Sequence, residues 1–247
     1  MADIRRPLIS ALTAAIFSMP VASPAGEHAV PSSCITCHGR MNGRLRDPVE
    51  KSAIGIHAAK NVSCHTCHGG NPKASGPAMS IASGFTGAPF KPFINAFCGR
   101  CHQQPLFDVM SGAHGRSSEE ATAHCVTCHG SHQVEPASPE LINEQACSRC
   151  HPFERVLPLK KHMQLLHSRI NAVQERVKAV KRQGRDTSEL EQLLTEARNR
   201  SRRVPHLLGY DNSVLQTTVD QQLNSIEKKL NSLETARQEH ILKELLQ

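Results

Sequence analysis

The chain of 247 residues has no tryptophan and a single tyrosine, Tyr210, and with seven phenylalanines its aromatic share is only 3%. A core built on large aromatic side chains, which bury roughly 150–250 Å² each, is therefore not available. There is also no uninterrupted run of ~20 apolar residues, the length a helix needs to span a bilayer. Acidic residues are in short supply, 22 against 29 Lys and Arg, which leaves a formal charge of +7. Finally, no cysteine stands alone: all ten fall in one short pattern that occurs five times.

The five copies are Cys34-Ile-Thr-Cys37-His38, Cys64-His-Thr-Cys67-His68, Cys98-Gly-Arg-Cys101-His102, Cys125-Val-Thr-Cys128-His129 and Cys147-Ser-Arg-Cys150-His151. Cys-x-x-Cys-His is the attachment signature of c-type haem. Two thiols add across the two vinyl groups of one porphyrin, and one short turn presents both sulfurs to the same edge. The next histidine then sits under the iron. Zinc would pair the motifs two by two, and five is odd; it also gives no reason for a histidine after every second cysteine. A disulfide framework leaves the five histidines unexplained. The expectation is five covalent c-type haems, with His38, His68, His102, His129 and His151 as proximal iron ligands.

The N-terminus agrees with this chemistry. Arg5 and Arg6 precede a short, mostly apolar stretch from Leu8 to Val21, and Ser23-Pro24-Ala25 offers small residues for cleavage. Residues 1–25 read as a secretory signal peptide rather than a spanning helix. An uncleaved anchor is the minor alternative, and no cysteine lies where bacterial lipidation would need one. The expected location is the periplasm, with extracellular release as an alternative.

Residues 26–153 form the expected haem-binding region. Gly69-Gly70, Asn71-Pro72, Gly76-Pro77, Gly84, Gly87, Pro89 and Pro92 mark turns and loops. The first cysteines lie 30, 34, 27 and 22 residues apart, too irregular for a solenoid. Porphyrins would supply the missing apolar bulk, so regular structure is expected to be sparse. Residues 154–247 change character. Leu159, Met163, Leu166, Ile170, Val173, Val177 and Val180 alternate in steps of four and three, an apolar helix stripe opened by Pro158 and closed by Gly184. A second helix is expected from Ser188, with Glu191 completing a capping box and Leu190, Leu193, Leu194, Ala197 and Val204 on its apolar side. A third follows Asp211-Asn212-Ser213, with Val219, Leu223, Ile226, Leu230, Leu233 and Ile241 as its stripe. The expected fold is a mainly α multihaem cytochrome with little or no strand: a loop-rich, short-helix haem region, then a long-helix bundle or hairpin. The stripes could also close a homo-oligomer. After residue 152 there are 17 Lys and Arg against 12 Asp and Glu. Mixed along helices, these charges read as a solvated surface rather than a nucleic-acid site.

Ten histidines lie outside the proximal five, enough to give every iron a second imidazole. His57, His114 and His132 are the leading distal candidates. His162 and His167 flank the first long stripe on opposite sides, and His162 is preferred. His206 follows Pro205 at the end of the second helix and could reach back to the haem region. His65, His124, His28 and His240 read as spectators. Met41, Met79, Met110 and Met163 are weaker alternatives, since methionine usually fills gaps.

His57 through Cys64-His-Thr-Cys67-His68-Gly-Gly resembles an element of multihaem c-type cytochromes. Ser111-Gly-Ala-His114-Gly-Arg followed by Cys125-Val-Thr-Cys128-His129-Gly-Ser-His132 resembles their S-x-H-G … C-x-x-C-H-G-x-H element. In that group the two outer histidines ligate haem, which implies the same for His114 and His132 and more loosely for His57. The helical tail resembles that of proteins distantly related to the pentahaem nitrite reductase and hydroxylamine oxidoreductase superfamily. There a histidine between late helices is a ligand, which adds weight to His206. The chain departs from the catalytic members. None of its motifs ends in lysine, and its one tyrosine lies in a turn-like segment beside His206.

The expected function is single-electron transfer along bis-histidine haems, between a quinol-oxidising membrane complex and a terminal reductase or other cytochrome. No catalytic residue is expected. The alternatives are a multihaem reductase of a small nitrogen or sulfur oxyanion with one open-site haem, a subunit docked by its helical tail, and a membrane-anchored quinol dehydrogenase.

Overall fold

The computed structural model describes residues 32–74, 76–117, 123–207 and 212–247, with the side chains of 212–214 left aside. The expected signal peptide, His28, Tyr210 and the cap residue Asp211 lie outside the described residues. Residues 32–247 form one compact unit. The described residues are 66% helix, with no strand among them.

Up to residue 156 the helices are short: α1 (Ser33–His38), α2 (Asp47–Ile54), α3 (Cys64–His68), α4 (Ile94–Gly99), α5 (Gln103–Ser111), α6 (Cys125–His129) and α7 (Glu144–Cys147), linked by turns and 3₁₀ segments. No Ala, Val, Ile, Leu, Met or Phe side chain described between residues 32 and 141 is buried. Ile54, Ile81, Phe90, Phe93 and Phe107 are all more than 60% exposed. The polypeptide here does not build an apolar core from its own side chains.

The rest is a three-helix bundle: α8 (Leu157–Arg182), α9 (Ser188–Arg203) and α10 (Asn212–Leu245), each packed on the other two. Pro158 stands in the first turn of α8, where its missing N–H costs nothing, and Gly184 ends the helix at φ +77°. The expected stripes form the core. Leu166, Val173, Ala197, Val204, Val219, Leu223, Ile226 and Leu230 are at most 1% exposed. Two details differ from the expectation. Ser188 does not act as a cap. Thr187 precedes the helix, and Asp186 Oδ1 accepts from both the N–H and hydroxyl of Ser188, while Glu191 accepts from Thr187 and Lys181. Ile241 is 41% exposed rather than part of the stripe, because α10 outruns its partners and every residue after Glu234 is exposed.

Ion pairs between helices report the register. Arg169 grips Glu227 with two bonds of 2.9 and 2.8 Å, and one heptad later Arg176 grips Glu234 with bonds of 3.2 and 2.8 Å. The constant offset makes α8 and α10 parallel. Lys181–Glu191 and Arg198–Gln174 keep a constant sum of residue numbers, which makes α9 antiparallel to α8. The bundle is therefore up-down-up. These charges are not only a solvated surface; part of them fixes helix alignment.

Candidate functional site

Each Cys-x-x-Cys-His pattern sits on or at the end of a short helix. The first, second and fourth lie within α1, α3 and α6; the third and fifth straddle the C-terminal ends of α4 and α7. A single helical turn suits the spacing, since residues three apart share a face. No disulfide joins any of the ten cysteines.

Three proximal rings are oriented by backbone carbonyls. Nδ1 of His38 bonds Leu45 O at 3.1 Å, that of His68 bonds Gly87 O at 2.9 Å, and that of His129 bonds Glu135 O at 3.2 Å. A carbonyl can only accept, so Nδ1 carries the proton and Nε2 keeps its lone pair, the tautomer a metal requires. Local chain reversals bring those carbonyls round. Gly69 and Gly130 directly follow His68 and His129 with φ of +67° and +74°, a conformation that favours glycine. The N–H of Thr86 and of Glu135 then returns to the carbonyl of His68 and His129, at 2.8 Å in each case.

Four of the five proximal histidines face a second imidazole. The ring centroids are 6.1 Å apart for His102 and His57, 6.1 Å for His68 and His132, 6.1 Å for His151 and His114, and 6.2 Å for His129 and His206. Two imidazoles that ligate one metal from opposite sides, with bonds of ~2 Å and about 1.1 Å from nitrogen to ring centre, have centroids about 6 Å apart. The residues present fit a bis-histidine iron at four places. Burial lowers the pKa of His57, His114, His132 and His206 and the adjacent proximal histidine lowers each further, with the bond to Arg202 O and the Asp108 charge opposing at His206; the direction favours the neutral ring. Neutral imidazole is the ligating form.

The facing histidines are tied to the fold. His206 follows α9, and its Nδ1 bonds Arg202 O at 2.9 Å, again leaving Nε2 free. His57 and His132 lie on adjoining segments, joined by the bond from the Ile56 N–H to Val134 O at 2.9 Å. His114 follows α5, where the Gly115 N–H returns to Val109 O.

The other candidates fall differently. Among the described residues, no ring stacks on His38, and His162 faces no proximal ring; Nε2 of His162 is nevertheless buried without a hydrogen-bond partner. His167 is exposed on α8, His65 bonds Ser63, and His240 is exposed beside Glu244. Met163 fills the bundle core, while Met79 and Met110 are exposed. Two polar residues were not anticipated. His124 is 8% exposed and its Nε2 has no partner. Asn95, also buried, accepts from the N–H of Cys125 at 2.9 Å and from its thiol at 3.2 Å. Neither stands out in sequence: His124 reads as a spectator abutting a motif, and nothing in the pattern around Asn95 singles it out. No protein family, no curated protein and no solved structure matches this chain.

Proposed function

We propose that this chain is an exported pentahaem c-type cytochrome that passes single electrons along its haems between respiratory redox proteins. The carrying observation is the set of four imidazole pairs at about the spacing a shared metal would need, each built from one Cys-x-x-Cys-His histidine and one remote histidine. Each haem, when bound, supplies one-electron iron chemistry. The chain's own residues do the rest. Cys34 and Cys37, Cys64 and Cys67, Cys98 and Cys101, Cys125 and Cys128, and Cys147 and Cys150 hold the macrocycles covalently. The proximal histidines ligate from one face. On the other, His57 serves the third motif, His132 the second, His206 the fourth and His114 the fifth. Two imidazoles give a low potential and leave no position for substrate. The carbonyls of Leu45, Gly87 and Glu135 set ring orientation and ligand basicity. Exposed apolar residues of the 32–141 region are suited to lie against porphyrin faces.

The partners in this reading are a quinol-oxidising membrane complex on one side and a terminal reductase or other cytochrome on the other. Periplasmic location and the distant kinship with pentahaem nitrite reductases belong to the same proposal. One observation favours the alternative of a multihaem reductase: among the described residues His38 alone of the proximal five faces no imidazole. Low-temperature electron paramagnetic resonance tests both readings. The carrier reading expects low-spin iron for motifs two to five, and His114→Ala converts one low-spin haem to high-spin with five covalent haems retained. An unchanged His114→Ala spectrum removes that ligand. A high-spin signal altered by nitrite or hydroxylamine in the wild-type protein selects the reductase.

A further inference from the structure

We infer that the far end of the three-helix bundle, where α10 outruns α8 and α9, docks on an anionic phospholipid surface, with exposed leucines entering the lipid and neighbouring cations taking the phosphate headgroups. Such docking needs no haem and is independent of the electron-transfer reading.

The end in question points away from the Cys-x-x-Cys-His motifs. α8 begins beside Glu140, which Lys160 and Gln164 contact, and α9 returns to that same end with His206 facing His129. α10 runs parallel to α8, whose 26 residues rise about 39 Å, and then continues past it. Over the eleven helical residues from 235 to 245 neither partner covers α10, and every side chain there is exposed. Ile241, Leu242, Leu245 and the following Leu246 are 41%, 58%, 77% and 86% exposed. Their spacing puts them on one side of the helix. Leu242 lies twelve residues beyond the core residue Leu230, and at 3.6 residues per turn that is about a third of a turn off the line of the core stripe. The patch is therefore not a frayed piece of the bundle core.

Cations border this patch. A surface cavity of about 370 Å³ is lined by Gln183 and Arg185 from the turn after α8 and by Arg237, His240 and Ile241 of α10. Arg185 is held against α10 by donating to Leu233 O at 3.2 Å. No carboxylate lines the cavity. Glu234 is engaged by Arg176, and Glu244 lies 3.6 Å from His240 Nδ1. Two guanidiniums over a cavity suit a phosphate, which accepts paired N–H donors. Leucines on one side of a helix and Arg, His and Lys on the other is the layout of a helix lying in a membrane interface. Among the described residues no helix is long and apolar enough to cross a membrane, so the contact is peripheral.

A second copy of the chain fits this end less well. A coiled coil needs roughly three to four heptads, and eleven residues are fewer than two. Stable protein interfaces take roughly 20–30 residues a side. Pairing identical ends would also bring Arg185 and Arg237 toward their own equivalents.

Co-sedimentation of the purified full chain with vesicles tests the docking. The wild type is expected to bind vesicles of phosphatidylglycerol mixed with phosphatidylcholine and not vesicles of phosphatidylcholine alone. Leu242→Ser and Leu245→Ser should each weaken binding by roughly tenfold or more, and Arg185→Gln and Arg237→Gln by roughly fivefold each. Circular dichroism of the Leu242, Leu245 and Arg237 variants should match the wild type, since these side chains are exposed. Wild-type binding that these substitutions leave unchanged, equal binding to the neutral vesicles, or no binding to either overturns the docking. So does a dimer in sedimentation velocity that Leu242→Ser dissociates, which gives the face to a second copy. None of these results alters the haem count on which the electron-transfer reading stands.

Discussion

Arg203 donates through both Nε and Nη2 to the carboxylate of Asp108, at 2.8 Å each, and Asp108 has no solvent exposure at all. The pair ties the end of α9, three residues before His206, to the middle of α5, six residues before His114. Gln104 supplies a third bond to the same carboxylate at 2.9 Å. A buried carboxylate needs such partners, because leaving a charge unpaired costs more than a neutral bond returns. Asp108→Ala is expected to lower stability by about 1–3 kcal/mol, since the Arg203 side chain is 38% exposed and can still be hydrated. It should also disturb the fourth and fifth haems while sparing the second and third. Thermal unfolding gives the first quantity, and the low-spin resonances, counted haem by haem, give the second.

His206→Met should keep the fourth haem attached and low-spin but raise its potential, because thioether ligation favours ferrous iron more than imidazole does. A spectroelectrochemical titration would show one of the five steps moving upward. Four unmoved steps and one shifted step identify His206 as an axial ligand; five unmoved steps assign it elsewhere.

The long helices were legible in the sequence because their stripes are strongly periodic. Pro158 and Gly184 bracket α8 within two residues of where it begins and ends. The pairing of the helices was not legible, since it depends on Arg169 and Arg176 finding Glu227 and Glu234 some 58 residues away. Before residue 154 the Cys-x-x-Cys-His motifs stand out locally in the sequence, as do His57, His114 and His132. Which proximal ring each one faces is a matter of chain path. His132 lies three residues after His129 yet faces His68, and His57 lies seven before Cys64 yet faces His102. His57 crosses to the next motif, whereas His132 passes over the third motif to the second, and no period in the sequence encodes either path.

Gly130→Ala tests the turn that orients His129. The residue has φ +74°, and an added Cβ would lie 2.6 Å from Gln133 O. A non-glycine residue there is expected to cost ~1–3 kcal/mol and to loosen the carbonyl of Glu135 from the His129 ring. Gly76→Ala is the control: an added Cβ meets nothing within 4 Å, and φ there is not in the left-handed range. Thermal unfolding of the two variants should separate them clearly.

The bundle should weaken in acid in a defined direction. The hydrogen bonds from Arg169, and then its charge, hold Glu227 below the ordinary 4.5 in the folded protein. A depressed carboxyl pKa contributes stability that is fully present above the unfolded value and is lost as pH falls through the folded one. The Glu227 contribution, read by circular dichroism as the difference between wild type and Glu227→Gln, should therefore be constant from neutrality to about pH 4.5 and be lost below it. Glu227→Gln should flatten part of that decline while lowering stability at neutral pH.

Haem content of the purified protein, measured as pyridine haemochrome against polypeptide concentration, tests the account at its root. Five Cys-x-x-Cys-His motifs predict five haems per chain, resistant to extraction by acidified organic solvent. A colourless polypeptide without a Soret band, or one carrying zinc at its thiols, would contradict it.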